Sequence, residues 1–284
     1  MSNKRFEKKL EDTIKKYKLF SKKEKILVAA SGGKDSSSLL YALKKLGYKI
    51  EAITVDAVIG NYTKDNLERL RKFCKEQKIK LHEVSFRKEF GHGLLEIKKI
   101  LSKQGIKPTS CTICGILRRY LLNKYARKLK FKKIATGHNL DDEAQSIMMN
   151  YLKNNLELTA RLGPTTGIIR DKKFVVRVKP FYLITEEEIV EYSKELRLPV
   201  KYGRCPCSEG VFRRNMGKFI DESEVELKNI KKNIVNNFLR NINKYKQYYA
   251  DERHLKYCKK CGEPAKWSVC RTCQILDKIK IGAN

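Results

Sequence analysis

Two groups of residues in this chain have types and spacings suited to chemistry: a glycine turn bracketed by hydroxyls and charges, and a set of paired cysteines. Ser31-Gly32-Gly33-Lys34-Asp35-Ser36 follows the apolar run Ile26 to Ala30 and precedes Leu39, Leu40 and Leu43. A run that short reads as a buried strand, and the leucine spacing reads as a helix opened by Asp35 and Ser36. Gly32 and Gly33 permit the sharp turn and positive φ that a side chain opposes. Unpaired N–H groups and the positive end of the helix dipole then face the turn, which makes it an anion site. The spacing differs from the Gly-x-x-x-x-Gly-Lys-Ser/Thr of the Walker loop.

Of the nine cysteines, eight fall in close pairs. Cys258-Lys-Lys-Cys261 and Cys270-Arg-Thr-Cys273 are two Cys-x-x-Cys knuckles, and four thiolates at this spacing suit a closed, structural Zn²⁺ site. Cys111-Thr-Ile-Cys114 lies between the Pro108 loop and an expected helix carrying Arg118 and Arg119, and Cys205-Pro206-Cys207 follows some ninety residues later. On spacing alone this second group suits a second zinc site, three thiolates on a [4Fe–4S] cluster, or a persulfide or disulfide relay. Cys74 follows Leu67 and Leu70 at helical spacing and reads as a core thiol.

Positioning such groups needs a scaffold, and strand and helix signals alternate along the chain. Expected strands are 26–30, 49–55, 79–86, 131–136 and 175–178. Expected helices are 35–43, 63–77 behind a Thr63 cap, 94–102, 116–130, 141–152 and 185–196. This alternation predicts an α/β fold with a doubly wound parallel sheet, whose ligands bind beyond the carboxyl ends of the strands. The loops Asp56–Gly60 and Gly137–Glu143 should meet the glycine turn there. Four segments are expected: a basic amphipathic helix in 1–24, a catalytic domain over 25–207, a basic helical segment over 208–257 and a zinc ribbon over 258–284.

The 63 Lys and Arg residues against 32 Asp and Glu give a formal net charge of +31, which implies an extended polyanion as partner. A membrane is the rival polyanion, but no apolar run approaches the ~20 residues needed to cross one. With no signal-peptide pattern at the N-terminus, the chain reads as cytoplasmic. Tyr245, Tyr248, Tyr249 and Tyr257 interleave with lysines in a way that suits RNA contact or, at helical spacing, core packing.

Taken together, Ser31–Ser36, Cys111-Thr-Ile-Cys114-Gly115 with Arg118-Arg119, Thr136-Gly-His-Asn-Leu-Asp-Asp-Glu-Ala-Gln145 and the Cys-Pro at 205 resemble the tRNA 2-thiolation enzymes. These are the TtcA/TtuA family of the PP-loop ATP pyrophosphatases, here close to the two-thiouridine branch. The resemblance implies an ATP-dependent tRNA sulfurtransferase that adenylates a uridine C2 carbonyl and replaces its oxygen with sulfur. It implies that Cys111, Cys114 and Cys205 hold a [4Fe–4S] cluster and that Cys258, Cys261, Cys270 and Cys273 hold Zn²⁺. Catalytic roles fall to Asp35, Arg118 and Asp142 together with the three cluster cysteines. Nucleotide contacts fall to Ala29, Ser31, Gly32, Gly33, Lys34, Asp35, Ser36, Val55, Asp56, Arg118, Gly137 and Asp142, with Mg²⁺ accompanying ATP. Expected partners are tRNA and a sulfur donor, either sulfide or a ubiquitin-like thiocarboxylate carrier; relatives are often homodimers. Rival readings are thiolation of cytidine, nitrogen transfer on the same loop, a persulfide relay with a second zinc, and a non-catalytic zinc-stapled RNA-binding protein.

Two departures stand out. The first 24 residues lack the cysteine-rich ribbon with which the two-thiouridine branch usually begins, and Cys207 adds a thiol beside the expected ligand. His138 reads as structural rather than as a base, because the reaction needs little proton abstraction. His82, His92 and His254 are assigned no function.

Overall fold

A computed structural model describes residues 2–203, 205–208, 212–251 and 256–281; His254 lies outside them. Helix α1 (Asn3–Lys16) leads into β1 (Lys25–Ala29), α2 (Lys34–Lys45), β2 (Lys49–Asp56), α3 (Gly60–Glu76) and β3 (Leu81–Ser85). The short α4 (Phe86–Phe90), α5 (Leu94–Lys103) and the long α6 (Ser110–Lys128) follow. Then come β4 (Lys133–Thr136), α7 (Leu140–Leu152), α8 (Leu156–Ala160), β5 (Val176–Val178) and α9 (Glu186–Glu195). Beyond them lie α10 (Phe212–Ser223), α11 (Ile230–Asp251), the two-stranded ribbon β6 (Lys256–Tyr257) and β7 (Pro264–Ala265), and α12 (Arg271–Ile281).

The five long-range strands pair in parallel in the order β3-β2-β1-β4-β5. β1 sits in the middle because its side chains are apolar on both faces: Ile26, Val28 and Ala30 pack towards α1, α2 and α9, and Leu27 packs towards α5 and α6. From β1 the chain winds outward through β2 and β3, then returns to β4 on the other side. The switch point therefore lies between β1 and β4, where crevices open at the carboxyl ends. A third apolar cluster joins α7, α10 and α11 through Ile147, Met216, Val235 and Phe238.

Three expectations need correction. The helix after the Pro108 loop starts at Ser110, not at Ile116, so Cys111 and Cys114 lie on its first turns. The Thr109 side chain caps it by accepting from the Thr112 N–H at 3.2 Å. Helix α3 starts at Gly60, and Thr63 is no cap: its hydroxyl sits within the first turn and accepts from the Ile59 N–H at 2.9 Å. The third strand ends at Ser85, because Phe86 opens α4 and is buried against α5 and α6.

Candidate active site

The glycine turn lies directly beyond β1. Gly32 has φ +77°, and a Cβ there would stand 2.5 Å from the Asn66 carbonyl oxygen. Gly33 (φ −86°) caps α2. The Ser31 N–H donates to Ser36 Oγ at 3.1 Å, and the Ser36 hydroxyl donates to the Gly33 carbonyl at 3.2 Å. Spent on the turn itself, these hydroxyls hold it shut and preformed. Ala29, named as a nucleotide contact, is half-buried at the end of β1, in register with Ile53 and Thr136.

The loop after β4 presses on this turn. A Cβ on Gly137 would meet the Asp35 carbonyl carbon and oxygen and the Ser36 nitrogen at 3.0 to 3.1 Å, so only glycine lets the two backbones approach. Asn139 caps α7, accepting from the Asp142 N–H at 3.0 Å, and its amide donates to Asp35 Oδ1 at 3.3 Å. Its backbone N–H also donates to Asp142 Oδ2 at 3.3 Å, so the asparagine joins two carboxylates far apart in the chain. Burial raises the pKa of Asp35 against the pull of Lys34, and the neighbouring Asp142 charge raises it further. Lys34 reaches Asp35 at 3.1 Å and Glu186 at 2.8 Å, and these carboxylates outweigh burial to hold its pKa above the ordinary lysine value.

Asp141 and Asp142 diverge. Asp141 accepts from the Glu186 N–H at 2.8 Å and pairs with Lys231 at 2.7 Å, a structural duty. Asp142 instead lies 3.6 Å from the Arg213 guanidinium, whose other nitrogen bonds the Ser146 hydroxyl. His138 bonds the Thr136 hydroxyl at 2.9 Å. Close packing first, then Lys179, Arg213 and Arg177, lower its pKa against the opposing charge of Asp142, which leaves the ring neutral at pH 7. Beside it Lys179 and Glu143 form a buried ion pair of 2.6 Å.

The cysteine pairs converge on the same rim. Beyond α9 the chain runs back alongside the turn, Lys201 bridging to Gly33, and brings Cys205 and Cys207 against the start of α6. A cavity of about 290 Å³ is lined by Ser31 of the glycine turn, by Val55, Asp56, Tyr62 and Asn66 from β2 and α3, and by Cys111, Cys114, Arg118, Cys205 and Cys207. Of the expected nucleotide contacts Ser31, Val55, Asp56 and Arg118 line it, whereas Ala29, Gly32, Gly33, Lys34, Asp35, Ser36, Gly137 and Asp142 do not. The Ser208 N–H and hydroxyl donate to the Cys205 carbonyl at 3.0 and 2.6 Å and pin that residue. The Cys111 thiol points to the Cys207 carbonyl at 3.5 Å.

Burial pushes the Cys114 thiol up; Arg118 opposes the shift, and Cys205 and Cys111 add to it. Cys111 and Cys207 are raised by burial and then by Cys205. Thiols that repel one another in this way ionise together only around a positively charged centre. The Arg118 Nε is buried without a hydrogen-bond partner, and the residue lines the cavity beside Cys114.

Two metal environments can be told apart by spacing. With Zn–S bonds of about 2.3 Å, a tetrahedral site sets its sulfurs about 3.8 Å apart. Cys261 and Cys270 Sγ are 3.7 Å apart, and the four sulfurs of Cys258, Cys261, Cys270 and Cys273 all lie within 4.8 Å of one another. Burial opposes it, but the N–H groups of Cys270, Cys261 and Lys260 bring the Cys258 thiol down to about 6. Zinc fits here. Among the described residues this is the one set of three or more such ligands so tightly gathered; Cys111, Cys114, Cys205 and Cys207 do not close to that spacing. They line a cavity of about 290 Å³ instead, room that suits a multi-iron cluster.

The ribbon also braces this ring. Ile279 of α12 is buried in the core under α5 and α6, and Glu263 binds Asn123 of α6 at 2.9 Å and pairs with Arg127.

A model of the PP-loop domain matches residues 2–202. The tRNA-5-methyluridine(54) 2-sulfurtransferase of Pyrococcus horikoshii is 37% identical over 269 residues, covering 95% of this chain and 84% of the relative. The chain belongs to the PP-loop family, in its TtcA/TtuA tRNA 2-thiolation branch. The protein of the same name from Thermotoga maritima is 34% identical over 99% of this chain and 90% of its own. Among solved structures, the U34-tRNA thiolase NcsA from Methanococcus maripaludis with its [4Fe–4S] cluster matches with TM-score 0.79 and 29% identity, covering 98% of this chain and 87% of that one.

Several residues of this PP-loop site escaped the sequence reading. Asn139 falls in the loop expected to meet the glycine turn, but nothing local signals its cap of α7 or its bond to Asp35. Glu186 and Arg213 carry no local signal, since each reaches the site from an element remote in sequence. Tyr62 and Asn66 are ordinary residues of an amphipathic helix until α3 is folded over the turn. Of the tyrosines, Tyr245 stacks on Phe238 and bonds Tyr151, whereas Tyr248 is 63% exposed.

Proposed function

We propose that this chain is an ATP-dependent sulfurtransferase that adenylates the C2 oxygen of a tRNA uridine and replaces that oxygen with sulfur. One observation carries the reading: Ser31 of the anion-binding turn and Cys111, Cys114 and Cys205 line a single cavity. Nitrogen transfer on the same loop has no use for those thiols.

The C2 oxygen is a poor leaving group until ATP converts it to an adenylate, with pyrophosphate departing. The backbone N–H groups of Gly33 and the first turn of α2 receive that pyrophosphate. Lys34 exchanges Glu186 for its oxygens and offsets the charge that grows on them. Asp35 and Asp142, linked through Asn139, would hold the Mg²⁺ that accompanies ATP. Gly137 keeps the β4 loop tight against the turn. Ala29, Val55 and Asp56 border the nucleotide. Arg118, which lines the cavity, offers its guanidinium to the adenylate phosphate, a task suited to its planar fork. Cys111, Cys114 and Cys205 would hold a [4Fe–4S] cluster, which when bound supplies an iron free of protein ligands for carrying sulfur. Cys258, Cys261, Cys270 and Cys273 would hold a structural zinc. Sulfide or a thiocarboxylate carrier supplies the sulfur, and the cytoplasm is the working compartment, as the names of related cytoplasmic tRNA 2-thiolation proteins suggest.

The test is anaerobic purification followed by metal and sulfide analysis, then mass spectrometry of nucleosides from tRNA incubated with ATP and sulfide. About four irons, one zinc and ATP-dependent 2-thiouridine are expected, and fragment mapping reports whether position 54 or 34 is modified. Two zincs, no iron and unmodified tRNA refute the assignment.

A further inference from the structure

A second concavity, of about 620 Å³, lies between α1, α11 and the Pro164–Thr165 segment, and shares no lining residue with the thiol cavity. Lys16, Arg240 and Lys246 supply three cations to it, and no carboxylate lines it. Among the described residues none of the three pairs with an acid. Lys246 is half-buried and donates to the Thr165 carbonyl at 3.2 Å. Burial and then the charges of Lys179 and Arg170 lower its pKa.

Helix α11 is built with two working faces. Val235, Phe238 and Tyr245 pack into the cluster shared with α7. Asn236, Arg240 and Asn243 recur at intervals of four and three and turn an exposed polar stripe to the cleft. Tyr17, Leu239 and Ile242 add an apolar wall. Cations beside amides and an apolar wall match the parts of a nucleotide: phosphate, base edge and base face.

We propose that this cleft is an RNA subsite, which binds phosphodiesters and one unstacked nucleotide of the tRNA away from the reacting uridine. The proposal rests on the tRNA substrate of the reading above. Helix α1 contributes Lys16 and Tyr17 to the cleft. A free phosphate or mononucleotide shares the ligand chemistry, and the experiment separates them.

Full-length holoprotein is titrated into fluorescently labelled tRNA across a salt series, comparing wild type with Arg240→Gln/Lys246→Gln and with the single variant Arg240→Gln, whose side chain is exposed. A tenfold or greater loss of affinity is expected in the double variant and a smaller loss in the single one. The slope of log K against log salt should shrink by about 0.7 to 0.9 for each phosphate contact removed. Iron content and ATP affinity should match wild type. Unchanged tRNA affinity and slope overturn the proposal while leaving thiolation standing. A loss confined to binding of AMP, with tRNA binding intact, makes the cleft a mononucleotide site and also overturns it. Failure of the wild type to bind tRNA would sink the substrate assignment itself.

Discussion

Gly32 and Gly33 are adjacent, yet replacing each by alanine should have very different consequences. Alanine at 32 meets two penalties. Its φ of +77° places an L residue in the left-handed region, at a cost of about 1–2 kcal/mol. Its Cβ would lie 2.5 Å from the Asn66 backbone oxygen, which cannot rotate away, so α3 or the turn must shift. Overpacking of this kind costs about 1–3 kcal/mol. Gly33 has an ordinary φ of −86°, and a Cβ there meets only the Ser31 hydroxyl at 3.5 Å. Its replacement should stay within about 1 kcal/mol of wild type, the entropy gained in the unfolded chain offsetting the weaker cap. Urea denaturation should therefore separate Gly32→Ala from Gly33→Ala by about 2–5 kcal/mol, with ATP affinity measured by calorimetry also falling in Gly32→Ala. Equal midpoints and slopes for the two variants, with wild-type ATP binding in both, would refute the claim that Gly32 is required by its conformation and its contact with Asn66.

The two metal environments should be separable. Cys111→Ala should lose iron and keep one zinc in elemental analysis, whereas Cys270→Ser should lose zinc and lower the melting temperature, since Ile279 and Glu263 brace α6 through the ribbon. Cys205→Ala should lose the absorption near 400 nm, while Cys207→Ala keeps it, because Ser208 pins Cys205 alone. Asp35→Asn should abolish thiolation without lowering the melting temperature at pH 7. Its pKa is raised in the folded protein, so whatever stability its protonation contributes is full below the unfolded value and is lost as pH rises through the folded one. In pH profiles of stability, the fall attributable to Asp35 should disappear in the variant; a variant that unfolds earlier at pH 7 contradicts this account. Arg118→Ala should reduce single-turnover thiolation by about 10²-fold or more, as for loss of one donor to a developing charge, and Arg118→Lys should restore little of it.

How much of this was legible in the chain divides along a physical line. Features set by neighbours in sequence were readable: the buried β1 run, the glycine turn into α2, the two knuckles that gather four cysteines, and the helix α9 after Thr185. Each depends on side-chain period, backbone freedom or ligand spacing over a few residues. The start of α6 was not readable. Thr-Ser-Cys-Thr-Ile-Cys-Gly has weak helix propensity, and the helix persists there because Ile113 and Leu117 are buried and because Gly115 makes room for the Arg119 guanidinium. Tertiary structure alone decided that Lys201 runs beside Gly33 and brings Cys205 to Cys114, and that Asn139 ties Asp35 to Asp142. Those contacts join residues about ninety or more positions apart, and no local energy term specifies which remote partner a side chain will meet. The choice falls to the strand order, which places the ends of β1 and β4 side by side.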